Sequence, residues 1–394
     1  MTEHTLSDTE KKRGFLGLYF GRVITTVSTA LLGVFLPIFL YKTFDDSLQA
    51  VLAYYFIAAL AYMLLVPMGA QFLNKFGFRK ALIVATIAAA GVNAGYYFIT
   101  KENVLFVMPL IIALLVTFRV FFWIPYHVDF ALFTKKGRKG GQVGFLLASI
   151  TLLGVTGPVL AGYVIAHFGI SILFIISVTV FLLGTIPFSS VPRTNEKFSW
   201  SYARSWREVF EKRNRAVVLG SAAAGAEEII GVVVWPIFIF LLLDGDYFKV
   251  GALSSFIAGA TVLIQLSLGH YLDRVGNKKK VLKTWSMLYS FGWILKIFVV
   301  TAFQVFIAGI YHKFARIFID TSFDTIFYEL AADQGHYIDE FTVISEVAVQ
   351  IGRIASIVVI SIMALYVSIE WTFIVGALSA LFLNALYGTS ERRV

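Results

Sequence analysis

The chain of 394 residues contains no cysteine. Disulfides, thiol catalysis and thiolate metal sites are therefore excluded, and no redox compartment can be read from it. Charge is scarce as well: Asp, Glu, Lys and Arg make up 14% of the residues against 58% hydrophobic side chains. That is too little polar surface to cover a soluble protein of this length. No G-x-x-x-x-G-K-[ST] loop is present to cradle ATP. His127 and His167 lack donors at metal-ligand spacing, and no nucleophile constellation stands out, so neither a cofactor nor enzymatic chemistry is expected. The opening residues 1–13 are polar, with no apolar core ahead of a small-residue cleavage site. No signal peptide is expected, and the first helix would target the chain.

What the chain has in abundance is long apolar runs. Crossing about 30 Å of hydrocarbon takes roughly 20 apolar residues per helix. Breaks at charges, Gly and Asn divide the chain into twelve candidate spans: 15–41, 47–73, 79–100, 104–131, 142–167, 170–191, 216–243, 248–270, 279–300, 304–328, 342–366 and 369–387. Runs of this length can satisfy their backbone only as helices, whereas a barrel would show short alternating segments. The expected fold is an all-α membrane protein with twelve transmembrane helices.

The net charge of +9 could suggest nucleic acid, but its placement points to a lipid bilayer. With the N-terminus inside, the inner segments hold 24 of the 33 Lys and Arg, the outer loops three (Lys42, Lys101, Lys249), and the spans six. This asymmetry predicts a multi-pass protein of the inner (cytoplasmic) membrane with both termini cytoplasmic. A basic stretch, 192–215, separates an N-terminal six-helix bundle (1–191) from a C-terminal one (216–394). Part of it, 201–214, reads either as a short amphipathic helix carrying Trp206, Val209 and Phe210 at headgroup level or as a solvated linker.

The halves repeat. Pro37-Ile38-Phe39 recurs as Pro236-Ile237-Phe238 at an offset of 199, and Arg119-Val120-Phe121 as Arg316-Ile317-Phe318 at an offset of 197. The string Gly269-His270-Tyr271-Leu272-Asp273-Arg274-Val275-Gly276-Asn277-Lys278-Lys279 is matched, again 199 residues earlier, by Ala70-Gln71-Phe72-Leu73-Asn74-Lys75-Phe76-Gly77-Phe78-Arg79-Lys80. Glycines there permit a tight turn, and the basic run after them suits an anionic inner leaflet. This loop resembles the G-x-x-x-D-R-x-G-R/K-R/K signature of the major facilitator superfamily of secondary transporters, which has two parallel six-helix repeats. Ala70 and Asn74 replace the Gly and Asp in the first copy. By resemblance, Asn74, Gly77, Arg79, Gly269, Asp273, Arg274, Gly276 and Lys278 belong to the cytoplasmic gate, with Asp273 held against a helix end of the other bundle. In span five, Gly157-Pro158-Val159-Leu160-Ala161-Gly162 is similar to the family's antiporter pattern, although small residues for close helix packing give the same look.

Charges inside spans are costly and mark function or a partner. Glu227 and Arg353 each lie about 16 Å into their spans, Arg316 about 18 Å and Arg119 about 22 Å, at about 1.5 Å per residue. The resemblance places helices one, four, seven and ten around a central cavity and lets these residues meet a substrate. Lys313, Arg316, Asp320 and Asp324 form one stripe, read either as an intrahelical ladder or as substrate and coupling groups. Glu227 and Glu228 stand about 100° apart, so one faces the cavity and the other a neighbour such as Arg353. No mid-depth acid lies in the first half, so Arg119 should meet Glu227, Glu228, Asp320, an anionic solute or backbone carbonyls. Lys296 is expected to snorkel from a peripheral helix. Phe121, Phe122, Trp123, Tyr126 and Trp235 would wall a pocket or face lipid, with Trp235 at a kink beside Pro236.

The expected function is secondary active transport of a small or amphipathic organic solute by a monomer, coupled to protons and possible as antiport or efflux. A transporter-fold receptor or scaffold without transport, or a flippase-like lipid transporter, is the alternative. A basic inner loop (Lys135, Lys136, Arg138, Lys139) is further expected to attract its acidic repeat partner (Glu329, Asp333, Asp339, Glu340).

Overall fold

In the computed structural model, which describes residues 7–133, 139–192, 198–272, 278–332 and 338–385, the apolar runs become helices. The first run splits at Gly33 into α1 (Asp8–Leu32) and α2 (Phe35–Thr43). Then follow α3 (Leu48–Phe76), α4 (Phe78–Phe98), α5 (Val104–Phe133), α6 (Lys139–Phe168) and α7 (Ile170–Ser189). The linker carries α8 (Tyr202–Phe210), capped by the Ser201 hydroxyl. Its Val209 is buried and Phe210 exposed, so the amphipathic reading of this stretch is the one that folds.

The second half opens with α9 (Arg215–Ile229), a π-helical turn at Ile230–Val234, and α10 (Trp235–Leu242). The kink expected at Trp235 is thus a π bulge handing over to a Pro-initiated helix. Next come α11 (Tyr247–Leu272), α12 (Lys278–Ile297), α13 (Ala302–Ala332), α14 (Ile338–Met363) and α15 (Phe373–Phe382). Among the described residues, ten helical segments are long and apolar enough to cross a membrane. The other two expected spans are α12, which opens on three lysines, and α15, shortened by a 3-10 turn at Ile369–Thr372.

Repetition extends to the backbone. Asp45 and Asp46 have φ of 54° and 61°, and Asp244 and Gly245, 199 residues later, 55° and 78°. Each turn is closed by an equivalent bond, Asp46 N–H to the Tyr41 carbonyl and Gly245 N–H to the Phe240 carbonyl, both 2.9 Å. We call this the loop end of the bundle and the opposite one the linker end.

The halves meet along two seams. In the first, Gly162 of α6 lets the Tyr247 carbonyl of α11 come within 2.7 Å of where a Cβ would stand, and Gly251 of α11 packs on the Pro158 backbone. Gly157 lies equally close to Ala30 of α1. The glycines of span five therefore act by close packing, and the geometry adds nothing for antiport. Along the second seam α3 packs on α14. There the Gln49 amide donates to the Ser361 carbonyl at 2.8 Å and the Tyr62 hydroxyl to Glu346 at 3.1 Å.

Candidate substrate and coupling site

The two adjacent acids of α9 part company, as a helix demands. Glu227 turns toward α12 and α13 and is 3% exposed. Its Oε1 accepts from the Tyr289 hydroxyl at 2.6 Å and its Oε2 from Arg316 Nη1 at 2.6 Å. His312 Nε2 stands 3.9 Å from the same carboxylate. Glu228 turns toward α14, where its Oε2 accepts from Arg353 Nη2 at 2.6 Å; its side chain is 44% exposed. The Arg353 contact is thus made by Glu228. Arg316 also donates through Nε to Asp320, four residues on, at 2.6 Å. Of the α13 stripe, Arg316 and Asp320 form one intrahelical rung and Arg316 links to α9, so one guanidinium serves two carboxylates. Such charge-assisted bonds are among the strongest a protein forms.

A cavity of about 370 Å³ opens beside this network, and Glu227, Trp235, Lys296, His312, Lys313 and Arg316 line it together with Glu228. Val34 contributes to it from the first half. A second cavity, of about 240 Å³, lies in the first half against Thr29, Tyr55, Asn93, Tyr96 and Arg119. Val232, at the centre of the π turn, lines both. One lobe thus carries carboxylates and cations, and the other a lone cation among hydroxyls and amides.

Arg119 makes no ion pair or side-chain hydrogen bond among the described residues, so neither the expected cross-half contact nor the carbonyl alternative forms; its guanidinium faces the smaller lobe. Lys296 departs furthest from expectation. Instead of snorkelling it is 2% exposed, its Nζ 3.8 Å from the Trp293 ring centre and 4.2 Å from that of Trp235. Two indole faces replace water for the ammonium, contacts worth about 2 kcal/mol or more each when desolvated. Of the aromatic candidates, Trp235 lines the larger cavity. Phe122 is fully buried and stacks on Tyr126 at 5.6 Å, beneath the guanidinium of Arg22.

The glycine loops hold a surprise at Asn74. Its amide donates to the Phe198 carbonyl at 2.7 Å and accepts from the Phe198 N–H at 2.8 Å, clasping the linker to the end of α3. An aspartate could not donate, so asparagine here performs a two-way bond. Gly77, with φ of 74°, turns the chain into α4, where Arg79 is half-buried. Asp273, Arg274 and Gly276 lie outside the described residues, and of Gly269, Lys278 and Asp324 only the helical backbone is described. Lys135, Lys136, Arg138 and Asp333 of the expected loop attraction also lie outside them. Glu340, its describable acidic member, is engaged elsewhere: it accepts from the Ser199 N–H at 2.9 Å and from the Ser199 hydroxyl at 2.5 Å.

Sequence reasoning missed Tyr289, His312, Glu346 and Arg22. The first carried a signal: Tyr289, Trp293 and Lys296 are spaced by four and three, one face of a helix. His312 likewise lies four before Arg316. Among the described residues no group of His, Asp and Glu could hold a metal ion.

No curated protein matches the chain. A crystal structure of a mutant peptide transporter, POT, in complex with alafosfalin shares the fold with a TM-score of 0.68, covering 96% of this chain and 94% of that one at 12% identity. The family model described as Major Facilitator Superfamily matches residues 18–338. The chain therefore belongs to the major facilitator superfamily, as its glycine loops suggested.

Proposed function

We propose that this protein moves a small, amphipathic organic solute by alternating access, coupled to protons at Glu227, with the solute bound where the two lobes share Val232. Membership of the superfamily makes it a membrane transporter and not an enzyme. The finer reading counts α12 and α15 as spans, giving twelve in two bundles, with both termini cytoplasmic and a monomer as the working unit.

The sharing of Arg316 between Glu227 and Asp320 carries the coupling reading. Arg316, His312 and Tyr289 face Glu227, with Lys296, Lys313, Asp320 and Glu228 around the same region. A proton taken up by Glu227 removes one of the two charges that hold Arg316. The guanidinium then rests on Asp320 alone, and a donor is released toward the cavity. A solute that binds one arrangement better than the other shifts their populations, which is what coupling requires. The test uses purified protein in vesicles enclosing a pH-sensitive dye. Adding candidate solutes should drive proton flux in the wild type but not in Glu227→Gln. Solute uptake indifferent to an imposed pH gradient would remove the proton, and absence of any uptake would favour the receptor or scaffold alternative.

A further inference from the structure

We propose that Lys296 is the anchor for a carboxylate on the solute, making the transported molecule an organic acid with an apolar body. The inference rests on the transporter reading for the word solute, and on its own geometry for the rest.

Three observations converge. First, Lys296 is buried yet has no carboxylate within 4.0 Å among the described residues; its Nζ touches only the faces of Trp235 and Trp293. Second, the acids around the same cavity are engaged elsewhere. Glu227 is held by Arg316 and Tyr289, Glu228 by Arg353, and Asp320 by Arg316. Among the described residues no acid is left free to pair with the ammonium, and a buried charge without a partner is strongly disfavoured. Third, two further buried polar atoms nearby lack hydrogen-bond partners, His312 Nδ1 and Trp293 Nε1. The His312 and Trp293 rings lie 4.5 Å apart, and both residues line the cavity with Lys296.

A lysine, a histidine and an indole, all with unused hydrogen-bonding capacity, suit a group that accepts several bonds and carries one negative charge. The apolar part of the lining, Val34, Val232, Ile239, Val250 and Ile257, suits a hydrocarbon or aromatic body. A carboxylate entering here gains a charge-assisted bond and supplies the missing counterion. A neutral isostere can at best accept from the ammonium and supplies no counterion.

The experiment measures thermal unfolding of the purified full-length protein with 3-phenylpropionate, benzoate and their neutral amides as probes. The acids should raise the midpoint in a concentration-dependent way and the amides should not. Lys296→Met should weaken the apparent affinity for 3-phenylpropionate by at least about tenfold, the scale of a lost bond between charged groups, while Lys296→Arg keeps most of it. Lys296→Met without ligand should be no less stable than wild type, because an uncompensated buried charge has been replaced by a hydrophobe of similar volume. Equal shifts from acid and amide, no shift from either acid, or a wild-type response in Lys296→Met would each overturn the proposal. Uptake of radiolabelled 3-phenylpropionate separates the two readings. Binding through Lys296 without uptake leaves the anchor and removes transport of this acid; uptake equal in wild type and Lys296→Met leaves transport and removes the anchor.

Discussion

Tyr62 of α3 donates its hydroxyl to Glu346 of α14 across 3.1 Å, a bond that ties the first half of the chain to the second. Tyr62 is 1% exposed, and Glu346 receives no other hydrogen bond among the described residues. The contact sits on the seam where the halves must slide if access alternates.

Tyr62→Phe should therefore favour the state in which α3 and α14 separate. A hydrogen bond to a charged acceptor contributes about 1.5–3 kcal/mol, enough to invert a two-state equilibrium with a gap of a few kcal/mol. Spin labels on α3 and α14 should report a longer distance in a larger fraction of molecules. An unchanged distance distribution would show that the bond is incidental.

Asn74→Asp restores the family's motif residue and should nevertheless loosen this protein. The carboxylate cannot donate to the Phe198 carbonyl, and it would face that oxygen at the present 2.7 Å. A loss of about 1 kcal/mol follows from one donor removed and one acceptor repelled. Hydrogen exchange at the Phe198 and Ser199 amides should speed up while α5 is unaffected; protection equal to wild type would contradict the clasp.

The two acids of α9 should separate in mutagenesis. Glu227→Gln should abolish gradient-driven transport and destabilise the fold by about 1–3 kcal/mol, because its bonds to Arg316 and Tyr289 lose their charge while Arg316 keeps Asp320. Glu228→Gln should cost about 1 kcal/mol or less, its pair with Arg353 being partly open to water. Thermal unfolding and vesicle uptake measured together check this. The double variant Glu227→Gln with Arg316→Gln should recover stability but not coupling, so recovered coupling would move the proton elsewhere.

Gly251→Val should prevent closure of the loop end. A Cβ there runs into the Pro158 backbone and stands 3.2 Å from the Gly162 Cα, and neither can yield without parting α6 from α11. Overpacking of this kind costs about 1–3 kcal/mol. Because the chain has no cysteine of its own, Ser254→Cys, which lines the larger cavity, can serve as a sole reporter. It should react faster with a membrane-impermeant thiol reagent from the loop end in the Gly251→Val background, and equal rates would reject the wedge.

Much of this was legible in the chain. Apolar length gave the helices, the fixed offset gave the repeat, and depth along a span singled out Glu227, Arg316 and Arg353 before any contact was known. Direction was harder to read. Which of Glu227 and Glu228 meets Arg316 depends on how α9 is rotated against α12 and α13, and periodicity leaves that rotation free. Lys296 was misplaced because hydropathy treats a lysine near a span's end as soluble, whereas three helices converge to bury it. Asn74 stands where the family's motif has Asp, and its partner, Phe198, is a backbone 124 residues away that no local pattern connects to it.

The paired turns at the loop end respond differently to ionic strength. Asp45 and Asp46 hold left-handed conformations that cost an ordinary residue roughly 1–2 kcal/mol each, and their side chains are bound by Lys101 and Lys42. In the second copy Gly245 adopts the same conformation without a Cβ to object. Exposed ion pairs weaken as counterions crowd in, whereas glycine's freedom is indifferent to them. Molar salt should therefore soften the first turn, held by two such pairs, more than the second, which has only Asp246 with Lys249 beside it, making the two duplicated turns unequally tunable by the medium outside the bilayer.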